Sequence, residues 1–323
     1  MNALSLVNRV TRRLPGYTQA EYLDEVNEAY QWCWNFILQL EDSYFTEVKQ
    51  VTVQNSGAEF DFLWNENGNL ASTLSNRYFQ ITRIRILPPG GGSWLPTQPM
   101  TWNSPAFLSA QSNANPPDTA TGPFYWIPFS KGSVLFALPI VAGTIIEVTY
   151  NLIFLPLYIL TNGTVSNTGT AVMGTSTNFN QICGPDYQAS LPGSDTDSEV
   201  GAELIVPANA AGLTPTYTVK QITSATALVT QNAISPALVG SAYTLASVPD
   251  IPMGSHECIS TIATRNILST PGNDPRYAQW AQMAEEQIQM MKDTVMLRQK
   301  QAPARRRRFP YAVFSDYVAP ASR

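Results

Sequence analysis

The chain has 323 residues, 44% hydrophobic and only 13% charged, with 19 basic against 24 acidic side chains and a pI near 5.0. That length allows two or three domains with sizeable cores, while the charged share is about half of what globular chains usually carry. An acidic balance argues against a protein that wraps nucleic acid, which needs Lys and Arg spread over a surface. One histidine and three separated cysteines leave little material for acid–base, nucleophilic or metal chemistry.

Leu4, Val7, Val10 and Leu14 recur at steps of three and four, predicting a short first helix that Pro15-Gly16 ends. Thr18, with Glu21 three residues on, reads as the capping box of a second helix, and Tyr17 and Tyr22 flank it as a hydrophobic staple. The stripe Tyr22, Val26, Ala29, Cys33, Phe36 or Ile37, and Leu40 runs for about six turns, roughly 35 Å. Trp32 and Trp34 lie off that stripe. They fit either a second buried face, packed by neighbouring copies, or a local loop covering both.

From Phe45 the period changes to two, and residues 47–53, 59–63 and 79–86 alternate as strands. The Pro/Gly-rich residues 88–123, with Gly90-Gly91-Gly92, Trp94 and Trp102, read as a long loop. A hairpin of 124–128 and 134–138 follows, then a strand over 144–154. Residues 161–250 are a separate compositional unit, rich in Thr, Ser, Ala and Val. Six short strands there, at 163–166, 170–174, 203–206, 217–222, 227–230 and 243–245, predict a small β-barrel or sandwich set in as an insertion. Cys258, Ile259, Ile262, Ala263 and Ile267 mark a helix over 255–269. Asp274 and Pro275 then start a last helix with the stripe Tyr277, Trp280 or Ala281, Ala284, Ile288, Met291 and Val295, ending near Gln301.

The fold class expected is therefore α+β: a helical core from both ends of the chain (1–44 and 251–301), a β domain (45–160), an inserted β-barrel or sandwich (161–250), and an extended arm (302–323). Cys33, Cys183 and Cys258 are odd in number, with no CxxC. Two of them fall on apolar helix faces, which predicts free core thiols and a reducing compartment. Arg9, Arg12 and Arg13 have no apolar run behind them, so no signal peptide is expected. The apolar run 152–160 is too short for a bilayer.

Seven of the basic residues lie at or after Arg298, four of them as Arg305-Arg306-Arg307-Arg308. Phe309, Tyr311, Phe314 and Tyr317 follow. An arm made for charge alone would not need those aromatics, so the reading preferred is a docking arm whose arginines meet acidic residues of a partner. A nucleic-acid arm and an inert end are the alternatives.

These parts, in order, resemble the head-to-tail adaptor (connector) proteins of tailed bacteriophages. The residues that carry the likeness are 6–10 and the long helix through Asn27 to Phe36, the strand pair 135–139 and 143–150, and the closing part from Ile251-Pro252 through Asp274-Pro275-Arg276-Tyr277 to the last helix. Residues 163–179 and 222–228 are similar to small β modules of phage structural proteins. The resemblance implies a virion protein made in the host cytoplasm, forming a dodecameric ring under the portal, with DNA passing through its lumen unbound. It implies that the helices form the ring and that the β parts contact tail components such as the tube or nozzle. Beside it, the residues themselves predict portal docking by the arm (Arg305, Arg306, Arg307, Arg308, Phe309, Tyr311, Phe314, Tyr317), ring packing by Trp32, Trp34, Tyr277 and Trp280, and contact of the 161–250 insertion with tail fibres or another tail protein. No cofactor, metal, catalytic residue or membrane contact is expected.

The residues that could carry chemistry form no complete motif. His256 and Cys258 stand two apart on a helix and point in different directions. Asp195, Asp197 and Glu199 lack the glycine and distal glutamate of a calcium loop. Gly90-Gly91-Gly92 has no following Lys-Ser/Thr. A second reading, a carbohydrate- or surface-binding virion protein, would draw on the β insertion with Trp94 and Trp102.

Overall fold

A computed structural model describes residues 1–41, 43–63, 65–74, 78–112, 124–130, 132–183, 201–207, 214–269 and 274–301. It is a mixed α+β chain with two seven-stranded sheets. Helices α1 (Ala3–Arg13) and α2 (Gln19–Leu40) precede β1 (Thr46–Thr52), β2 (Gly57–Asp61), β3 (Tyr78–Leu87) and β4 (Leu95–Pro99). A short helix α3 (Pro105–Ser112) leads to β5 (Phe124–Ser130), β6 (Ser133–Ile140) and β7 (Ile145–Leu152). Strands β8 (Ile159–Leu160), β9 (Thr164–Thr168), β10 (Ala171–Thr175), β11 (Ala202–Ile205), β12 (Thr216–Ser224), β13 (Ala227–Thr230) and β14 (Thr244–Ser247) follow. Helices α4 (His256–Ser269) and α5 (Tyr277–Gln301) come last. The chain divides into two compact units, one made of Ala3–Tyr44 with the segment from Pro249 onward, the other of Phe45–Val248.

In the helical unit the start of α2 follows from its cap. The Glu21 N–H donates to Thr18 Oγ1 at 3.3 Å and the Thr18 N–H donates to the Glu21 carboxylate at 2.7 Å. This backbone bond holds the Glu21 carboxyl below its usual range. Tyr17 and Tyr22 meet edge to face at 5.6 Å, and the Tyr22 hydroxyl accepts from the Tyr17 N–H at 3.1 Å while donating to the Leu14 carbonyl. The staple is thus also a polar lock on the bend between α1 and α2. Helix α1 is turned from its expected stripe: Ala3 and Leu6 are buried with Val7 and Val10, and Leu4 is half-buried. Steps of three and four connect either set, so periodicity could not choose between them.

Helix α4 packs against α1, α2 and α5, and every residue from Cys258 to Thr264 is buried. A helix enclosed on all sides needs its polar groups satisfied internally. Here Ser260 Oγ and Thr261 Oγ1 donate to the Glu257 carbonyl at 2.9 and 3.0 Å, and Thr264 Oγ1 donates to the Ser260 carbonyl at 2.6 Å. Arg13 ties three helices together. Its guanidinium lies 4.6 Å from the Trp280 ring centroid, 3.5 Å from Glu257, and 3.4 Å from Ser260 Oγ.

The first sheet has the order β1-β7-β3-β4-β5-β6-β2, antiparallel except for the parallel pair β4/β5. Val51 of β1 and Phe60 of β2 stand at opposite ends of that order, yet both join one core with Ile84, Trp126, Phe136 and Tyr150. A flat sheet cannot bring its two edges to one core, so this one is strongly curled. Register also aligns a charged row: Gln50, Glu147 and Arg85 are direct cross-strand neighbours, with Arg85 Nε 2.7 Å and Gln50 Nε2 3.3 Å from the Glu147 carboxylate. The long loop expected over 88–123 is corrected in its described part, which holds β4 and α3. Pro96 and Pro99 argued against a strand. Strand β4 tolerates them because it pairs with β3 over only two residues, helped by Thr97 Oγ1 donating to the Ile84 carbonyl at 2.7 Å. Pro105, at the first position of α3, was the missed helix signal.

All six strands expected over 161–250 are present, with β8 added, in the antiparallel order β8-β14-β11-β12-β13-β10-β9. They form one sheet rather than a two-sheet sandwich. Edge strand β9 is bridged at Val165 to Ser241, on the approach to β14 near the other end of the order, so the sheet curls toward closure. Its core includes Val172, Phe179, Leu204, Ile222 and Leu245.

Candidate functional site on the helical unit

His256, Cys33 and Cys258 are enclosed and engaged. His256 is 1% exposed, at the start of α4. Its Nε2 lies 3.1 Å from the Ile251 carbonyl, which can only accept, so Nε2 carries the proton. Nδ1, left as the acceptor, faces the Met1 ammonium at 3.0 Å. Burial, then the nearby ammonium, push the imidazole pKa below its ordinary value. Both ring nitrogens are used, so His256 pins structure rather than moving protons. Cys33 of α2 and Cys258 of α4 are buried free thiols. A hydrogen bond with Cys258, then burial, raise the Cys33 thiol well above its usual pKa, the reverse of what a nucleophile needs. An apolar recess beside β3, β6 and β7, lined by Ile86, Pro88, Phe124, Pro139, Ile140, Val141 and Thr144, contains no titratable side chain.

What the helical unit presents outward is different. On α2, Glu21, Glu25, Glu28, Trp32 and Phe36 follow at steps of four, three, four and four, which places them in one line on the helix. Trp32 is 39% exposed and stacks on Phe36 with ring centroids 5.2 Å apart and planes at 10°. On α5, Met283, Met290 and Leu297 recur every seven residues and are 36, 54 and 57% exposed. Exposed apolar stripes on two helices of one unit are surfaces that water covers poorly.

No family model matches the chain, and no curated protein matches it. Geometry is therefore what sorts the expected site residues. Trp32 and Tyr277 are exposed. Trp34 is corrected: at 3% exposure, edge to face with Tyr30 at 6.3 Å, it belongs to the subunit's own core. Its position off the main stripe reflects a core that wraps further around α2, taking in Tyr30 as well. Trp280 is half-buried beneath Arg13. The Met283–Met290–Leu297 stripe was missed, although its seven-residue spacing stands in the sequence. The arm residues Arg305 to Tyr317 and the acidic group Asp195, Asp197 and Glu199 lie outside the described residues.

On the β unit, Trp94 is half-buried with the Arg85 guanidinium 5.2 Å from its ring. Trp102, 51% exposed, pairs with Phe129, 49% exposed, at 5.8 Å. Among the described residues, no His, Cys, Asp and Glu group of three could hold a metal ion, and no helix is long and apolar enough to cross a membrane.

Proposed function

We propose that this chain is a structural head-to-tail adaptor of a tailed bacteriophage, forming a dodecameric ring that docks under the portal and attaches tail components. The observation that carries this reading is the pair of unlike apolar stripes, Trp32–Phe36 on α2 and Met283–Leu297 on α5, on a unit whose histidine and described cysteines are buried. A ring closes when each subunit uses two different faces, and a closed ring leaves neither face exposed. In this reading the helices of both ends are the ring core, residues 161–250 are an inserted domain that meets the tail tube, nozzle or fibres, and the arm from Arg305 to Tyr317 docks on the portal. The acidic chain gives a lumen through which DNA slides without being held, and the mature location is the virion.

Electron microscopy of the chain mixed with portal protein tests this: rings stacked on the portal are expected, and portals left bare overturn it. Deleting residues 303–323 should abolish attachment while the circular dichroism spectrum is kept. The second reading, carbohydrate binding, is favoured by one observation, the exposed Trp102–Phe129 pair, since aromatic faces suit sugar rings. A glycan array that Trp102→Ala silences would support it.

A further inference from the structure

We infer that Asn162-Gly163, at the entry to β9, is a self-modifying site: the Gly163 nitrogen displaces the Asn162 side-chain amide as ammonia, assisted by the Tyr243 hydroxyl. The sequence has two Asn-Gly pairs, 67–68 and 162–163. Glycine suits the reaction because no side chain shields its nitrogen. Both asparagines are exposed, so what separates the pairs is the state of the attacking nitrogen. The Gly68 N–H donates to the Asn65 carbonyl at 2.9 Å, which holds it in its turn. Among the described residues, the Gly163 N–H and the Asn162 side-chain amide have no hydrogen-bond partner.

The Tyr243 hydroxyl donates to the Asn162 carbonyl at 2.8 Å. That carbonyl belongs to the same peptide group as the Gly163 nitrogen. As the nitrogen gives up its proton, negative charge spreads onto the carbonyl oxygen, and a donor already in place binds that oxygen more strongly. Tyr243 is 5% exposed, with its ring edge to face with Phe179 at 5.7 Å, so the hydroxyl is fixed where it acts. Burial also raises its pKa, which keeps it a donor in mildly alkaline solution. In the step itself a bond forms from the Gly163 nitrogen to Asn162 Cγ and the Cγ–Nδ2 bond breaks. The proton from the Gly163 nitrogen, relayed by water, leaves with Nδ2 as ammonia. The cyclic imide then takes up one water and opens either as aspartate or as isoaspartate, in which the main chain runs through the former side chain.

Ageing the full chain in warm, mildly alkaline buffer tests the site. Chymotryptic peptides are read by mass spectrometry, and isoaspartate is counted with an isoaspartyl methyltransferase. Asn162 should convert roughly fivefold faster than Asn67, the rate equivalent of one net hydrogen bond. In guanidinium, where neither nitrogen is held, the two sites should react alike. Tyr243→Phe keeps the ring and should slow Asn162 about fivefold while leaving Asn67 unchanged. Asn162→Gln should remove the isoaspartate signal at this position. Equal rates at the two sites in the folded parent, or isoaspartate confined to Asn67, would overturn the inference. So would a Tyr243→Phe chain, folded by circular dichroism, in which Asn162 reacts as fast as in the parent. Should that variant not fold, the comparison of Asn162 with Asn67 in the parent still decides.

Discussion

Arg13 offers a direct measure of what holds the helices of the two chain ends together, because three different effects meet on one side chain. Its guanidinium is 4.6 Å from the Trp280 ring, 3.5 Å from Glu257, and within 3.5 Å of Ser260 and Thr264 hydroxyls. Burial lowers its pKa, outweighing the attraction of Glu257, so the charge itself is held at some cost. The ion pair is long and Glu257 is 46% exposed, so it contributes well under 1 kcal/mol. A partly desolvated cation over an indole is worth about 1–2 kcal/mol, and the aliphatic stem adds packing. Stacking and packing therefore win, and Arg13→Ala should destabilise by about 2 kcal/mol, against a change within about 0.5 kcal/mol for Arg9→Ala, whose 2.7 Å pair with Glu257 is exposed. Arg13→Lys keeps the charge but not the flat face, and should recover less than half of the loss. Urea titration followed by tryptophan fluorescence reads all three variants. An Arg13→Lys chain as stable as the parent, or an Arg13→Ala chain more stable than it, would refute the reasoning.

His256 has its folded pKa below the ordinary 6.5, so the unfolded chain binds the extra proton and stability falls as pH drops below about 6.5, levelling off under the folded value. Thermal melts from pH 8 to 5 should show this decline, and the part due to His256 should vanish in His256→Gln. Cys33 and Cys258 should resist alkylation in the native chain and react only in denaturant, as thiol counting by mass spectrometry would reveal. Gly163 has φ of +84° and an added Cβ would stand 2.3 Å from the Thr175 carbonyl oxygen, so Gly163→Ala should cost about 2 kcal/mol or more in urea titration.

Helix α2 was legible because its start is written locally: Thr18, Glu21, Tyr17 and Tyr22 specify cap and staple without help from the rest of the chain. The strands of 161–250 were legible for the same reason, each being a short alternating run between turn residues. Strand β4 was not, since its two prolines are admitted by sparse pairing with β3 and β5, a tertiary circumstance. Trp34 shows the same limit at the candidate site. Its spacing placed it off the stripe, but only the structure shows how far around α2 the core extends. The α5 stripe was the opposite case, a readable seven-residue repeat of Met283, Met290 and Leu297 overlooked beside the stronger inner stripe of Ala284, Met291 and Val295.

Helix α4, enclosed by partners drawn from both ends of the chain, also sets a schedule for synthesis. Helices α1 and α2 leave the ribosome with their apolar sides uncovered, and the helix that covers them begins only at His256. At about 5–20 residues per second, that wait is roughly 10–40 s for a nascent chain. During it α2 has α1 beside it but not α4, and a product truncated before His256 cannot complete the helical unit. Only chains translated past α5 therefore carry both exposed apolar stripes, that of α2 and that of α5.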